Sequence, residues 1–146
     1  MTLDDTIEIA VEGEAQERVV DYGTPLGEIL PREVGGLPVL AALANNDVVP
    51  LDAPAVVDLR VRPLTLADEE GWQVYRRTLC FLLAKVLHAE FPGTDCRVRQ
   101  SFGHNALFWT WDVPEGEREA KVAALRGRLA ALVARDAPID HRVVGY

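Results

Sequence analysis

Lysine is nearly missing from this chain: Lys85 and Lys121 are the only two among 146 residues. Neither follows a glycine loop. The G-x-x-x-x-G-K-[ST] pattern, whose backbone N–H groups and lysine cradle nucleotide phosphates, is therefore absent, and phosphoryl transfer by this chain alone is not expected. Cysteine is limited to Cys80 and Cys96. Without a CxxC pair they make neither a zinc ribbon nor a thioredoxin-type site, and they read as small reduced residues. The histidines, His88, His104 and His141, are scattered. They read as surface residues, so no metal and no cofactor is expected. No apolar run reaches the ~20 residues of a membrane span. The opening "MTLDDTIEIAVEGE" has neither a basic nor an apolar leader region, so the chain reads as cytoplasmic, with no membrane partner.

Apolar residues make up 49% of the chain, enough for a packed core. The length suits one ordinary domain or two very small ones. Charge favours the second choice. Residues 1–70 carry 15 acids and 4 bases, whereas residues 71–146 carry 8 acids and 11 bases, so the halves are −11 and +3. Such a change of sign marks two modules with different surfaces. The acidic half is a poor nucleic-acid surface because it repels phosphate.

The first half alternates. "TIEIAVEG" (6–13) and "ERVVDYG" (17–23) read as a strand pair. Thr24 and Pro25 are suited to cap and start a short helix over 25–30. "VLAALANN", "VVPL" and "VVDLRVRPL" supply further strands, with a turn at Asn45-Asn46-Asp47. After a polar connection, "TLADEEGW" (65–72), comes "YRRTLCFLLAKVLHAEFPG" (75–93), an amphipathic helix with a Pro-Gly stop. Its stripe of Leu79, Leu82, Leu83, Val86 and Leu87 is expected to be buried. "DCRVRQSFGHNALFWTWDV" reads as a hairpin turning at 103–105, with Leu107, Trp109, Trp111 and Val113 on one face and Phe108, Thr110 and Asp112 on the other. A second helix puts Val122, Leu125, Leu129, Leu132 and Val133 inward, with glutamates early and arginines late, as its dipole favours. "IDHRVV" reads as a last strand.

Four segments in this order resemble a known arrangement. "GTPLGEIL … ALANNDVVPLDAPAVVDLRVRPL" resembles a TGS domain, the small β-grasp module at the front of threonyl-tRNA synthetases. "YRRTLCFLLAKVLHAEFPG", "SFGHNALFWTWDV" and "VAALRGRLAALVARDAPIDHRVV" resemble parts of the editing-type domain shared with alanyl-tRNA synthetases. The resemblance implies an α+β fold: a TGS-like β-grasp module over 1–64, then a module like the synthetases' second additional domain over 73–146. In that family the first helix carries His-x-x-x-His. The matching positions here are Arg77 and Phe81. Arginine is always protonated and the phenyl ring has no lone pair, so neither ligates a metal. "YRRTLCFLL" also closely resembles a helix in long bacterial uridine kinase-like nucleoside kinases, which carry both modules ahead of a P-loop domain. That likeness implies an accessory or regulatory module of a nucleoside kinase, with a downstream P-loop kinase domain as partner. A free-standing hydrolase acting on aminoacyl-tRNA and an RNA- or ribosome-binding adaptor stay open as alternatives.

The remaining constellations carry less. Ser101 and His104 flank a turn with no acid placed to orient the imidazole, so turn chemistry is the simpler reading. Trp109 and Trp111 share a face with Leu107 and Val113 and read as core or interface. Arg76 and Arg77 lie near a helix N-terminus, where cationic charge is mildly unfavourable, which raises their interest as phosphate or carboxylate grips. If the fold follows the resemblance, a groove runs between the first helix and the tryptophan hairpin. Arg76, Arg77, Phe81, Lys85, His104, Asn105 and Phe108 are the candidate ligand-binding residues. A cationic and aromatic lining suits an anionic, planar ligand, a nucleotide or an RNA end.

Overall fold

The computed structural model describes residues 5–102 and 106–139. The fold is α+β, and the contacts divide it into two compact units, one ending at Thr78 and the next beginning at Leu79.

The first unit opens with β1 (Thr6–Val11) and β2 (Arg18–Asp21), then a one-turn helix α1 (Leu26–Ile29). A two-stranded ribbon, β3 (Glu33–Val34) with β4 (Leu37–Pro38), precedes β5 (Ala41–Ala44), β6 (Asp47–Val49) and β7 (Leu59–Leu64). The main sheet runs β2-β1-β7-β5-β6, with β1 and β7 parallel and the other pairs antiparallel. A helix following the first strand pair, and a last strand inserted beside the first, are the β-grasp arrangement. Alternation in β1 explains the packing: Ile7, Ile9 and Val11 point inward and meet Leu26, Ile29 and Leu30 of the α1 segment, with Ala42, Ala44 and Val61 completing the core. Asn45 and Asn46 both take positive φ, 47° and 73°, as a two-residue hairpin turn requires. Thr24 departs from its expected capping role. Its hydroxyl donates to the Asp21 carbonyl, and Pro25 occupies the cap position instead.

Pro63 sits in β7, an interior strand, where proline is unusual. The register removes the conflict. Pairing of β7 with β1 stops at Val11–Val61, while Leu64 still accepts from Leu40 on the β5 side. The missing N–H of Pro63 therefore faces the flank where β1 has already ended, and no ladder bond is lost.

The helix α2 (Glu69–Glu90) begins six residues before the expected start at Tyr75 and stops at Phe91-Pro92-Gly93, with Gly93 at φ +82°. The second unit joins its C-terminal part to β8 (Cys96–Phe102), β9 (Ala106–Trp111), a single 3-10 turn (Glu115–Glu117) and α3 (Arg118–Ala134). Val86, Leu87 and Leu125 form its buried centre, flanked by Leu83, Phe91, Cys96, Trp109, Trp111, Leu129 and Leu132. Phe91 meets Trp111 edge to face at 5.0 Å. Two expected core residues are not core: Leu79 is 42% exposed and Val133 62%. Both lie at the margin of an apolar stripe that is wider than the surface available to cover it. The hairpin turn at 103–105 and nearly all of the expected strand "IDHRVV" lie outside the described residues. Among the described residues no helix is long and apolar enough to cross a membrane.

Candidate functional site

A hydrogen-bonded turn over Thr65–Asp68, expected only as a polar connection, leads into α2, and the Asp68 carbonyl then accepts the first helical bond from the Trp72 N–H at 2.9 Å. In "TLAD", the Asp68 carboxylate accepts from the Thr65 N–H at 2.7 Å and from the Thr65 hydroxyl at 3.0 Å, while the Ala67 N–H donates to the Thr65 hydroxyl oxygen at 3.2 Å. Thr-x-x-acid spacing was the available signal. Arg62 from β7 donates to the other Asp68 oxygen at 2.6 Å and reaches Glu70 at 3.5 Å. The Thr65 backbone N–H holds the Asp68 carboxyl below the usual carboxylate range; partial burial opposes this, and the Thr65 hydroxyl and Arg62 add to it.

Along α2, Arg77, Phe81 and Lys85 recur at four-residue steps and so share one helix face. Arg76 is half-buried, Arg77 and Lys85 are exposed, and Phe81 is 52% exposed. Among the described residues none of the three cations has an ion-pair partner. Phe81 and Lys85 line a cavity of about 380 Å³ in the second unit. Its far wall is the end of α3, Leu132 and Val133, and the following Asp136–Ile139 segment. The expected wall was the tryptophan hairpin. The difference follows from helix phase: the residues that face the hairpin are Cys80, Leu83 and Leu87, and Phe81 and Lys85 are rotated away from it. His104 and Asn105 lie outside the described residues. Phe108 stands on the other hairpin face, 44% exposed, and lines none of these cavities.

The chemistry of this cavity is mixed. Lys85 brings a positive charge. Asp136, held at φ 45° where α3 ends, brings a negative one, and the last carbonyls of α3 add partial negative charge. Such a site holds a neutral, planar group against Phe81 better than it holds a phosphate, with Lys85 left to meet an anion at the lip.

The groove between α2 and the hairpin does exist, with a different lining. It is a cavity of about 250 Å³ walled by Cys80, Leu87, His88, Phe91, Cys96 and Val98. Burial pushes the Cys96 thiol up from its ordinary value, and the neighbouring Asp95 charge adds to this. A third, more apolar groove of about 420 Å³ lies among Leu79, Leu83, Leu107, Trp109, Leu125 and Leu129. Among the described residues no three His, Cys, Asp or Glu side chains are grouped to hold a metal ion.

No family model matches the chain. It is similar to the threonine–tRNA ligases of Symbiobacterium thermophilum, 28% identical over 105 residues, which is 72% of this chain and 16% of that protein. The likeness to the Thermotoga neapolitana threonine–tRNA ligase is 25% over 135 residues, 90% of this chain and 21% of that protein. For Desulforamulus reducens it is 26% over 120 residues, 82% and 18%. The chain spans about a fifth of the length of the curated relatives it matches. Across most of its length it is similar to a segment of threonine–tRNA ligases.

Proposed function

We propose that this chain is a non-catalytic RNA-binding accessory module that receives an unpaired nucleotide of tRNA in the Phe81–Lys85 cavity. The observation that carries the reading is the half-exposed Phe81 ring and the Lys85 ammonium, which has no ion-pair partner among the described residues, at one cavity of nucleobase size. A base stacks on the ring and Lys85 meets its phosphate. The similarity to threonine–tRNA ligases supports tRNA as the ligand. Arg77 and Phe81 stand where the resemblance places a histidine pair, so the residues for metal-assisted hydrolysis are not supplied there. We take residues 1–64 and 73–146 as the two modules, with the −11 charge of residues 1–70 keeping RNA to the second.

The test is a calorimetric and NMR titration with tRNA, with nucleoside monophosphates and with uridine. Binding of tRNA with shifts at Phe81 and Lys85, weakened by Lys85→Ala, is the expected result; no heat and no shifts in α2 overturn it. Release of the amino acid from aminoacyl-tRNA by the purified chain would instead make it a hydrolase. The "YRRTLCFLL" helix favours a second reading, a regulatory module of a nucleoside kinase. Selective binding of uridine or a nucleoside triphosphate, without tRNA, decides for that reading.

A further inference from the structure

The first unit leaves one side of its main sheet open. β2 is an outermost strand, and among the described residues no strand pairs with its far side. The register fixes which of its backbone groups face outward. The Tyr22 N–H donates to the Asp5 carbonyl at 2.6 Å, and the ladder continues with Val20 opposite Ile7 and Arg18 opposite Ile9. In an antiparallel pair alternate residues exchange both backbone bonds with their partner strand, so Arg18, Val20 and Tyr22 turn theirs towards β1. Val19 and Asp21 turn theirs away. The Asp21 carbonyl is closed off, because it accepts from the Thr24 N–H at 3.2 Å and from the Thr24 hydroxyl at 2.7 Å. What stays open at the edge is the Val19 N–H, the Val19 carbonyl and the Asp21 N–H. These are the two bonds of one antiparallel residue pair and a donor beside it.

The side chains around this backbone are specific. Glu17, Val19 and Asp21 alternate along the chain and so share one face, with Glu8 opposite Val19 in the ladder. Val19 is apolar yet 68% exposed, and the three acids are exposed too. Among the described residues none of these three carboxylates has an ion-pair partner. Arg18, the base within β2, is taken up by Glu14 and by the Ile29 carbonyl. Natural sheets guard their edges with lysine, proline or a bulge. β2 has no lysine and no proline, and its register with β1 is unbroken.

We propose that β2 is a docking edge for an extended, basic segment of a partner protein, which adds to the sheet as a further strand. An apolar residue of that segment lies against Val19, and a lysine or arginine two residues away on each side meets Glu17 and Asp21. The motif basic-x-apolar-x-basic reads the same in both chain directions. A second copy of this chain is a poorer occupant. Two β2 strands paired about Val19 set Glu17 of each against Asp21 of the other, and like charges directly opposite destabilise a ladder. The proposal concerns the first unit alone and does not rest on the Phe81–Lys85 cavity.

NMR titration of the isotopically labelled full chain with the peptide acetyl-Thr-Lys-Thr-Val-Thr-Lys-Thr-amide tests it. Shifts of the Val19 and Asp21 amides are expected. N-methylation of the central valine keeps the charge and removes the donor for the Val19 carbonyl, and it weakens binding by about tenfold or more. A peptide with glutamate in place of both lysines does not bind. Asp21→Asn weakens binding of the parent peptide roughly threefold at low salt and less at high salt. Val19→Lys abolishes binding and leaves the far-UV circular dichroism unchanged, because the side chain is mostly exposed. Phe81→Ala leaves peptide binding unchanged. Absence of shifts at Val19 and Asp21 overturns the proposal. So does equal binding of the N-methylated peptide, which would reduce the interaction to charge alone. A dimer in sedimentation that Val19→Lys dissolves also overturns it, since the occupant would then be a second copy.

Discussion

Gly71, in the first turn of α2, lies against the backbone of Thr65: a methyl group on its Cα would sit 2.0 Å from the Thr65 carbonyl oxygen and 2.8 Å from the carbonyl carbon. The contact is backbone on both sides, so no side-chain rotation relieves it. The glycine is needed for close approach between the Thr65–Asp68 turn and the helix that follows it, not for a positive φ. Gly71→Ala is expected to destabilise the first unit by at least about 1–3 kcal/mol, although alanine is the better helix former by about 1 kcal/mol. Urea unfolding followed by far-UV circular dichroism checks this; an unchanged or raised midpoint contradicts the contact.

Asp68 makes stability sensitive to acid. Its folded-state carboxyl titrates below the unfolded value, so its contribution is fully present above about pH 4 and is lost as pH falls through the folded value. Asp68→Asn should lower stability near pH 7, and the variant and wild-type curves should converge as pH falls through the folded value. Asp68→Ala should cost about 0.5–2 kcal/mol at neutral pH, as for other helix-capping groups. Thermal melts at pH 7, 5 and 3 measure both.

In the second unit the cost of truncation should follow burial. Leu125 is 3% exposed and joins Val86 and Leu87 at the centre, so Leu125→Ala should cost about 2–5 kcal/mol. Val133 is 62% exposed despite its place on the expected stripe, and Val133→Ala should change stability by no more than about 0.5 kcal/mol. Intrinsic fluorescence of Trp109 and Trp111 during unfolding reports the difference. Equal effects at the two sites would show that the stripe is buried along its whole length.

Cys96 should react slowly. Burial, and then Asp95, keep more of it as thiol than an ordinary cysteine at the same pH. Alkylation by iodoacetamide at pH 7.5, followed by peptide mass spectrometry, should modify Cys96 more slowly in the native chain than in urea. Asp95→Asn should raise its native rate modestly. A native Cys96 that reacts as fast as the unfolded one contradicts the burial.

Legibility differed from element to element. Alternation in "TIEIAV" and "LRVRPL" reflects one buried face at a two-residue period, so β1 and β7 could be read in advance. Asn45-Asn46 was readable as a turn because few other residues tolerate positive φ. The early start of α2 was misread because its first turn is polar: Glu69 and Glu70 look like a loop until the Thr65–Asp68 turn ahead of them is recognised. The candidate residues Arg77, Phe81 and Lys85 were readable as one face, since four-residue spacing guarantees it.

What chain order and period could establish here is the class of fold, the turns, the helix faces and the charge split between halves, because each depends on residues near one another in sequence. Which surface Phe81 and Lys85 look onto, and whether Leu79 and Val133 are covered, depend on how α2, the hairpin and α3 pack in the second unit. Those are contacts between residues distant in sequence, and a local pattern is blind to them.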